Sequence, residues 1–450
     1  MSAIPWQMLS PAIERRAMTA DSGPRRIWVV KVSEPLPSPG SATRLMRAGL
    51  IAQRLMQTGA DVTWWVSDFS HLHKRREDLK GVVDGDRSGR LSNGVRAQFL
   101  HGRAYARNVS FARLANHREE AHDFAQRARA LPTPHAIFCC MPTIDLALEA
   151  TRFGKERGIP VIVDIRDLWP DVFVDVAPTP AWLTRLAIQP LDRRVRHALS
   201  QATGITAISP PILDWALAKA GRARGPHDRV VPLAYQPAPL SPQMLDAEES
   251  VWRGHGLKLD GSERIACFFG NLSAFPELET AVDALDFLPD ALRATTKFVI
   301  CGAGERLDWL RAQAASRGEL VAPGHVSGAA LGALMRHSTA GLLIYPSRSD
   351  IQMSYPNKVG EYLAGGLPVI STVDGIVGPA LRAGGCGTVV PNRDPKALAE
   401  AFAAYALDDA DRERRKAAAH ALFQTLFDAD AVYGGLSDFL VELSAPARPS

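Results

Sequence analysis

The chain has 450 residues, too many for one ordinary hydrophobic core, and this length predicts two domains. A hydrophobic fraction of 46% with 22% charged residues is typical of a globular protein and excludes a fibrous or disordered chain. No apolar run approaches the roughly 18–20 residues that cross a bilayer, and residues 1–23 lack the apolar segment of a signal peptide.

Cysteine content and charge distribution predict the cellular setting. The five cysteines lie mostly in apolar stretches without zinc-binding spacing, so we expect buried, reduced thiols in a cytoplasmic protein. The net charge of +4 is uneven, since residues 71–129 hold 13 Lys/Arg against 7 Asp/Glu. This basic segment predicts peripheral contact with the inner face of the cell membrane or with a lipid-diphosphate acceptor. A solvated basic surface is the alternative, and no aromatic-rich segment accompanies the charge to indicate nucleic acid.

Short apolar strands alternate with amphipathic helices, which is typical of parallel sheets covered by helices on both faces. In the first half, the predicted strands are 27–32, 62–66, 136–140, 161–165 and 204–208. The predicted helices between them are 42–58, 111–130, 144–157 and 181–201. After a Gly/Arg/Pro stretch at 221–227, the pattern restarts with strands at 265–269, 297–301, 340–344, 368–370 and 388–390.

Two such series predict an α/β protein with two Rossmann-like domains whose parallel sheets face a central cleft. The predicted segments are a flexible N-terminal tail (1–25), a first domain (26–222), a second domain (223–427) and a C-terminal helical segment (428–450).

The loop after the first strand contains three prolines and then Gly40 and Ser41, directly before a helix. Ligands of open parallel sheets bind beyond the carboxyl ends of strands, so Gly40 and Ser41 are candidate binding residues. A plain connecting loop is the alternative.

The strand at 161–165 runs into the charged string RDLWPD at residues 166–171. Burial of Arg166 and Asp167 at a strand end is costly unless the two pair with each other or with a ligand. Both are therefore candidates for contact with a ligand, with a purely structural Arg–Asp pair as the alternative.

Three strands in the second half end in turns whose residues are given a role below by a family resemblance. The strand at 265–269 ends in a small polar loop, and the next two turns contain a Gly-x-Gly pattern, which alone is a weak signal, and a Pro-Gly-His sequence. The residues at these turns are Gly270, Asn271, Ser273, Gly302, His325 and Val326. Ordinary turns are the alternative for each.

The segment 354–371 is a polar loop, a short helix, a Gly pair and an apolar strand. A helix start gathers unpaired N–H groups and suits a phosphate, with Ser354, Pro356 and Asn357 at its entry. Lys358 lies on the same helical face as Glu361, so the first can reach a diphosphate while the second accepts hydrogen bonds from ribose hydroxyls. A solvated helix with a Lys/Glu pair is the alternative.

The sequence Asp84-Gly85-Asp86 spells the Asp-x-Asp pattern of metal–diphosphate sites. It lies in a polar segment without a preceding strand, which predicts a surface loop. No other metal-ligand spacing occurs, so we expect no metal and no cofactor.

Residues 354–371 resemble the donor-site signature of GT-B glycosyltransferases, in particular glycosyltransferase family 4, which reads Pro-Asn/Ser-Lys-x-x-Glu-Tyr-x-Ala-x-Gly-x-Pro-Val-Ile. The RDLWPD string resembles a subgroup that builds surface polysaccharides, and the resemblance extends over about residues 26–445. Three departures stand out: Met353 where many members have a second Glu, Asn271 where many have Arg, and Pro276/Glu277 where a Lys is expected.

The resemblance implies an acceptor domain first, a nucleotide-sugar donor domain second, and a last helix that returns to the acceptor domain. It implies that Glu361 binds the ribose and that Lys358 and the loop 270–273 bind the diphosphate. It also implies that residues 302, 325 and 326 lie near the base. It also implies that Gly40 and Ser41 lie under the donor sugar, Arg166 near the leaving diphosphate, and Asp167 at the acceptor hydroxyl.

The implied activity is a metal-independent, retaining transfer of a hexosyl or N-acetylhexosaminyl group from a nucleotide-diphosphate sugar to a glycan or lipid-linked acceptor. Two alternatives share the architecture. A non-hydrolysing nucleotide-sugar 2-epimerase would convert the donor without an acceptor, and a non-catalytic scaffold at the membrane surface would bind no nucleotide.

Overall fold

A computed structural model of the protein describes residues 23–37, 44–71, 73–79, 82–84, 87–108 and 110–445. The chain divides into two compact units, Met1–Pro232 with Ala429–Ser450, and Leu233–Asp428. The first unit thus extends past the predicted boundary at 222, because Arg229–Val230 adds a strand to its sheet. Most of the predicted tail at 1–25, and the candidate residues Gly40 and Ser41, lie outside the described residues.

The first unit contains one large sheet and a small hairpin within its described residues. Its strands are β1 (Arg26–Val30), β2 (Asp61–Ser67), β3 (Phe69–Ser70), β4 (Arg75–Arg76), β5 (Val83–Asp84), β6 (Ser88–Arg90), β7 (Arg96–Leu100), β8 (Ala136–Cys140), β9 (Val161–Ile165), β10 (Gly204–Ala207) and β11 (Arg229–Val230). The order in the large sheet is β11-β10-β9-β8-β1-β2-β7-β6-β5. All pairs from β11 to β7 are parallel, and β6 and β5 continue antiparallel.

Helices cover this sheet and bury its apolar strands. They are α1 (Arg47–Gln57), α2 (Phe111–Ala128), α3 (Ile144–Arg157), α4 (Val172–Val176), α5 (Ala181–Gln201) and α6 (Pro210–Ala220). Strands β8 and β9 are buried along their whole length, as expected for the centre of a parallel sheet that is covered on both faces. The side chains of Ser110 and Ser209 cap the starts of α2 and α6, and Gly158 ends α3 in the left-handed conformation.

The second unit has a fully parallel sheet of six strands among the described residues. Its strands are β12 (Arg264–Asn271), β13 (Thr296–Ala303), β14 (Leu320–Gly324), β15 (Ala340–Leu343), β16 (Val369–Ser371) and β17 (Gly387–Val389), in the order β14-β13-β12-β15-β16-β17. The register pairs Gly270 at the end of β12 with Gly302 at the end of β13.

The helices of the second unit connect and cover these strands. They are α7 (Pro242–Gly254), α8 (Leu278–Ala284), α9 (Asp290–Arg293), α10 (Leu307–Ser316), α11 (Gly328–His337), α12 (Ser349–Gln352), α13 (Asn357–Ala364), α14 (Val377–Gly384), α15 (Pro395–Leu407) and α16 (Asp409–Leu426). A core of aliphatic and aromatic side chains fills one face of the sheet and includes Phe268, Phe298 and Phe402. After α16 the chain enters α17 (Ala429–Leu443), which belongs to the first unit and packs against α1.

The predicted α/β class with two parallel sheets is confirmed, but three local predictions are wrong. Strands β7 and β14 were not expected, because their sequences carry polar residues or a Pro-Gly pair that favour a loop. The predicted loop at 323–327 therefore begins inside β14. The helix predicted from residue 42 begins at Arg47, and Arg44–Met46 are not helical.

A buried carboxylate lies where α2 packs beside β2. Glu120 is buried and its Oε1 accepts a 2.5 Å hydrogen bond from Ser67 Oγ, while its Oε2 is buried without a hydrogen-bond partner. Burial raises the pKa of Glu120 to about 7. A raised carboxyl pKa means that the folded protein binds a proton more tightly than the unfolded chain, so stability falls as pH rises through this range.

We predict that Glu120→Gln stabilises the protein at high pH and less so at low pH. Because the amide carries no charge, the variant should gain about 2 kcal/mol relative to wild type between about pH 5 and about pH 8. Thermal unfolding at both pH values measures this difference. An equal effect at the two pH values would show that Glu120 does not titrate in this window.

Candidate functional site

In each unit the strand order reverses at the centre of the sheet. In the second unit the chain runs from β12 outward through β13 and β14, then returns to β15 beside β12 and runs outward through β16 and β17. Loops on the two sides of such a reversal turn away from each other and leave a crevice beyond the carboxyl ends of the two central strands. The carboxyl end of β12 is therefore the position where a ligand is expected.

Two glycines at this edge bring main chain close together. Gly270 has φ +150° and Gly302 has φ +149°, values that a residue with a side chain rarely adopts. A Cβ on Gly270 would lie 2.5 Å from Lys358 Nζ, and a Cβ on Gly302 would lie 1.8 Å from the carbonyl oxygen of Gly270. The predicted candidates Gly270, Gly302 and Lys358 are thus brought together: a side chain at Gly302 would collide with main chain, and one at Gly270 would have to displace the end of Lys358.

The ammonium of Lys358 is held firmly at this crevice. Its Nζ donates a 2.5 Å hydrogen bond to the hydroxyl of Tyr345 and lies 5.1 Å and 5.2 Å from the ring centres of Phe268 and Tyr345. The rings stabilise the cation through their electron-rich faces. A positive charge therefore lies directly over the main chain at the end of β12.

The start of α13 adds further positive potential. Pro356 precedes the helix in an extended conformation (ψ 141°), and the described residues offer no side-chain cap to its first N–H groups. Asn357 is exposed at the first turn, and Glu361 is half-buried one turn further along. Uncapped N–H groups and the helix dipole together favour an anion at this end.

Ser354 is less available than predicted. Its hydroxyl donates a 2.8 Å hydrogen bond to the carbonyl oxygen of Asp350. The hydroxyl hydrogen is therefore committed to the turn after α12, and only the oxygen lone pairs of Ser354 remain for a ligand.

The loop after β12 is fixed by a carboxylate. Asn271 is exposed, and Ser273 Oγ accepts a 3.3 Å hydrogen bond from the N–H of Phe275. Glu277 accepts 2.7 Å hydrogen bonds from Asn392 and from Arg393. Where the family pattern expects a lysine, this chain thus has an acceptor that ties the loop to residues beyond β17.

Residues after β15 that sequence reasoning missed line the same edge. The ring of Phe275 lies 5.4 Å from that of Tyr345, and Arg348 lies over Phe275 at 4.6 Å while pairing with Asp350. Tyr345 and Arg348 follow a predicted strand at the reversal point, and that position is the signal that could have identified them.

At the end of β14, His325 is exposed and Val326 is half-buried. Gly324 precedes them with φ +90° and closes the strand. These two candidates lie at the carboxyl edge of the sheet, on the β13–β14 side of the crevice.

The first unit has its own reversal between β1 and β8. Arg166, just after β9, does not pair with Asp167; its Nη1 donates a 2.5 Å hydrogen bond to Glu34, which follows β1. Glu34 also accepts a 2.9 Å hydrogen bond from the N–H of Ala48 in the first turn of α1. Asp167 is exposed beside this pair, so its carboxylate is accessible from solvent.

Cations and neutral histidines surround this edge. Lys31, the residue that follows β1, is only 7% exposed, and burial together with the charge of Arg166 lowers its pKa. Burial and the charge of Arg113 lower the pKa of His71 to about 4, and the same two causes lower the pKa of His117 to about 3. Part of the basic segment 71–129 therefore contributes to this edge, where His71 and His117 are uncharged at neutral pH.

Asp164, which precedes Arg166, is structural. It is fully buried and accepts two hydrogen bonds from Arg47, at 2.9 Å and 2.8 Å, and one from Thr206 at 2.7 Å. Burial raises the pKa of Asp164, but Arg47 and these hydrogen bonds outweigh burial and hold the pKa below its usual value. Asp171 is also engaged, by Trp215 and Lys219.

Three further predictions concern the cysteines, metal binding and membrane spans. All five cysteines are buried and free of disulfides. Within the described ranges, no group of three or more His, Cys, Asp or Glu side chains is placed to hold a metal ion. None of the helices in that part of the chain is both long and apolar enough for a membrane span. Of the Asp84-Gly85-Asp86 sequence, positions 85 and 86 fall outside the described residues.

Residues 255–421, all within the second unit, match the family model described as Glycosyl transferases group 1. No curated protein sequence matches the chain.

Solved structures with the same fold include the following three proteins. Alr3699/HepE of Anabaena, in complex with UDP, is 13% identical, covers 93% of this chain and 100% of its own, and gives a TM-score of 0.62. Sucrose-phosphate synthase from Thermosynechococcus elongatus is 16% identical, with 93% and 99% coverage and a TM-score of 0.65. WaaG, a glycosyltransferase involved in lipopolysaccharide biosynthesis, is 14% identical, with 92% and 99% coverage and a TM-score of 0.56. The predicted GT-B fold is confirmed.

We predict that Asp164→Asn destabilises the protein by about 3–5 kcal/mol, because it leaves the Arg47 guanidinium buried without its carboxylate partner. Denaturant unfolding measures the loss. The double variant Arg47→Met/Asp164→Leu removes both charges and should be more stable than Asp164→Asn. A cost below about 1 kcal/mol for the single variant would show that the pair is not structural.

Proposed function

We propose that the protein is a glycosyltransferase that moves a sugar from a nucleotide-diphosphate donor to a glycan or lipid-linked acceptor in surface polysaccharide or glycolipid assembly. The observation that carries this proposal is the position of Lys358. Its ammonium, held by Tyr345 against Gly270, points to a diphosphate site at the carboxyl end of β12.

The second unit would hold the donor. The diphosphate would lie between Lys358 and the uncapped start of α13, where hydrogen bonds from N–H groups and the ammonium offset its charge without a metal. Glu361, one turn into the same helix, would accept hydrogen bonds from the ribose hydroxyls. The match of residues 255–421 to the group 1 family supports this assignment, as does the UDP complex of the structurally similar Anabaena protein.

The first unit would receive the acceptor. Asp167 is exposed at the edge of its sheet and would orient the acceptor hydroxyl or take its proton. Arg166, held by Glu34, would stabilise negative charge that develops on the leaving diphosphate. We propose a transfer that retains the anomeric configuration, with the leaving phosphate helping to remove the acceptor proton.

Experiments without an acceptor distinguish this function from the two alternatives, a 2-epimerase and a non-catalytic scaffold. NMR of each candidate nucleotide sugar with the protein alone should show no isomerisation, whereas a 2-epimerase would convert the sugar. Calorimetry with UDP and GDP should show binding of one of them, whereas a scaffold would bind neither. Isomerisation, or a lack of binding by both nucleotides, would overturn the proposal.

We predict that Lys358→Met and Glu361→Gln each weaken nucleotide affinity by about tenfold or more, because each removes a charge-assisted hydrogen bond to the ligand. Isothermal calorimetry with the preferred nucleotide measures the change. Lys396→Met is the matched control, since Lys396 is exposed on α15 and its loss should leave affinity unchanged. Wild-type affinity in either site variant would remove that residue from the site.

We predict that Gly270→Ala lowers both stability and nucleotide affinity, because the new methyl group displaces Lys358. Gly261→Ala is the control: Gly261 also has a positive φ, +84°, but no atom lies within 4 Å of the position that its Cβ would take. Both variants should lose stability from backbone strain, and only Gly270→Ala should lose affinity. Equal affinities would place the ligand away from the end of β12.

A further inference from the structure

An apolar surface lies on the first half of α5, and the proposed function does not use it. Trp182, Leu183 and Leu186 are 68%, 42% and 61% exposed. Trp182 and Leu186 are four residues apart and Leu183 and Leu186 are three apart, so they form one continuous patch over about one helical turn. We call Trp182, Leu183 and Leu186 the α5 patch.

The helix is anchored elsewhere, so this exposure is a stable feature of the fold. Its second half buries Val195, Ala198 and Leu199, and Arg194 pairs with Asp145 of α3 at 2.8 Å. In the first half, only Thr184 is buried. The α5 patch therefore contributes little to the core, and large apolar side chains exposed together mark a surface that binds something.

Charge around the patch identifies the occupant. Helix α5 contains four arginines and one aspartate. Arg185 lies between the patch residues, and Arg193 is two turns beyond Leu186; both are exposed. A helix with Trp and Leu on its apolar side and arginines beside them matches the surface of an anionic bilayer, where apolar groups enter the headgroup boundary and arginines meet phosphates.

The direction of the helix puts this patch on the same side of the unit as its candidate site. Because α5 leads from β9 back to the parallel strand β10, its start lies at the carboxyl edge of the sheet. Arg166 and Asp167 leave β9 at that same edge. Phe111, the first residue of α2 and 90% exposed, lies at this edge too, since α2 leads from β7 to the parallel strand β8.

We infer that the α5 patch, with Arg185 and Arg193, docks the first unit onto a membrane surface that contains anionic lipids. This surface differs from the sequence prediction, which relied on the charge of residues 71–129. The inference stands apart from the proposed function, because the docking residues are different from Arg166, Asp167 and the donor residues of the second unit.

Vesicle co-sedimentation with the full-length protein tests the inference. Wild type should bind vesicles that contain phosphatidylglycerol and bind phosphatidylcholine vesicles much more weakly. Trp182→Glu/Leu186→Glu should weaken binding to the anionic vesicles by about tenfold or more. Leu407→Glu is the matched control: Leu407 is 65% exposed at the end of α15, and its change should leave vesicle binding as in wild type.

A second pair of variants tests the charge. Arg185→Gln/Arg193→Gln should weaken binding to anionic vesicles by about fivefold for each arginine and leave the weak binding to phosphatidylcholine unchanged. Circular dichroism and nucleotide affinity should stay at wild-type values in all variants, so a failure of docking is distinguishable from a failure of the proposed function.

Three outcomes would overturn the inference. Wild type could fail to bind anionic vesicles, or Trp182→Glu/Leu186→Glu could bind them as wild type does. Light scattering could also show that wild type is a dimer and that this double variant is a monomer, which would assign the α5 patch to a second copy of the chain.

Discussion

The chemistry of both units depends on one topological constraint, the reversal of strand order at the centre of a parallel sheet. Every strand pair from β11 to β7 and from β14 to β17 is parallel, so all carboxyl ends of these strands meet at one edge of each sheet. At the reversal the loops diverge and leave main-chain groups uncovered. The candidate residues of each unit are distributed along this edge, although they come from distant parts of the sequence.

Each unit places a buried or half-buried lysine close to its reversal, but the two are stabilised differently. In the second unit, aromatic rings and the hydroxyl of Tyr345 hold the ammonium of Lys358 at the end of β12. In the first unit, Lys31 is buried beside Arg166, and burial with this like charge lowers its pKa. The charge of Arg166 is compensated by Glu34, which also holds the start of α1. The edge of the second unit's sheet thus carries the ammonium of Lys358 held by aromatic groups. The edge of the first unit's sheet carries a network of charges that includes Lys31, Arg166 and Glu34.

The departures from the family pattern have structural counterparts. Glu277, where a lysine is expected, binds Asn392 and Arg393 and so fixes the loop that carries Ser273. Asn271 is exposed at the mouth of the crevice. The positive potential at the end of β12 comes from Lys358 and from the start of α13.

The order of amino acids was enough to predict the pattern of elements, because apolar strands and amphipathic helices have different periodicities. Strands such as β8 and β9 were predicted with their observed bounds. The short helix that carries Lys358 and Glu361 was also predicted, because a polar start and a closing Gly pair form a recognisable local pattern. The pairing of Arg166 with Glu34, the contact of Tyr345 with Lys358 and the strand β7 became known only from the folded chain. These features depend on contacts between residues far apart in the sequence, and local propensity carries no information about which distant partner a side chain will meet.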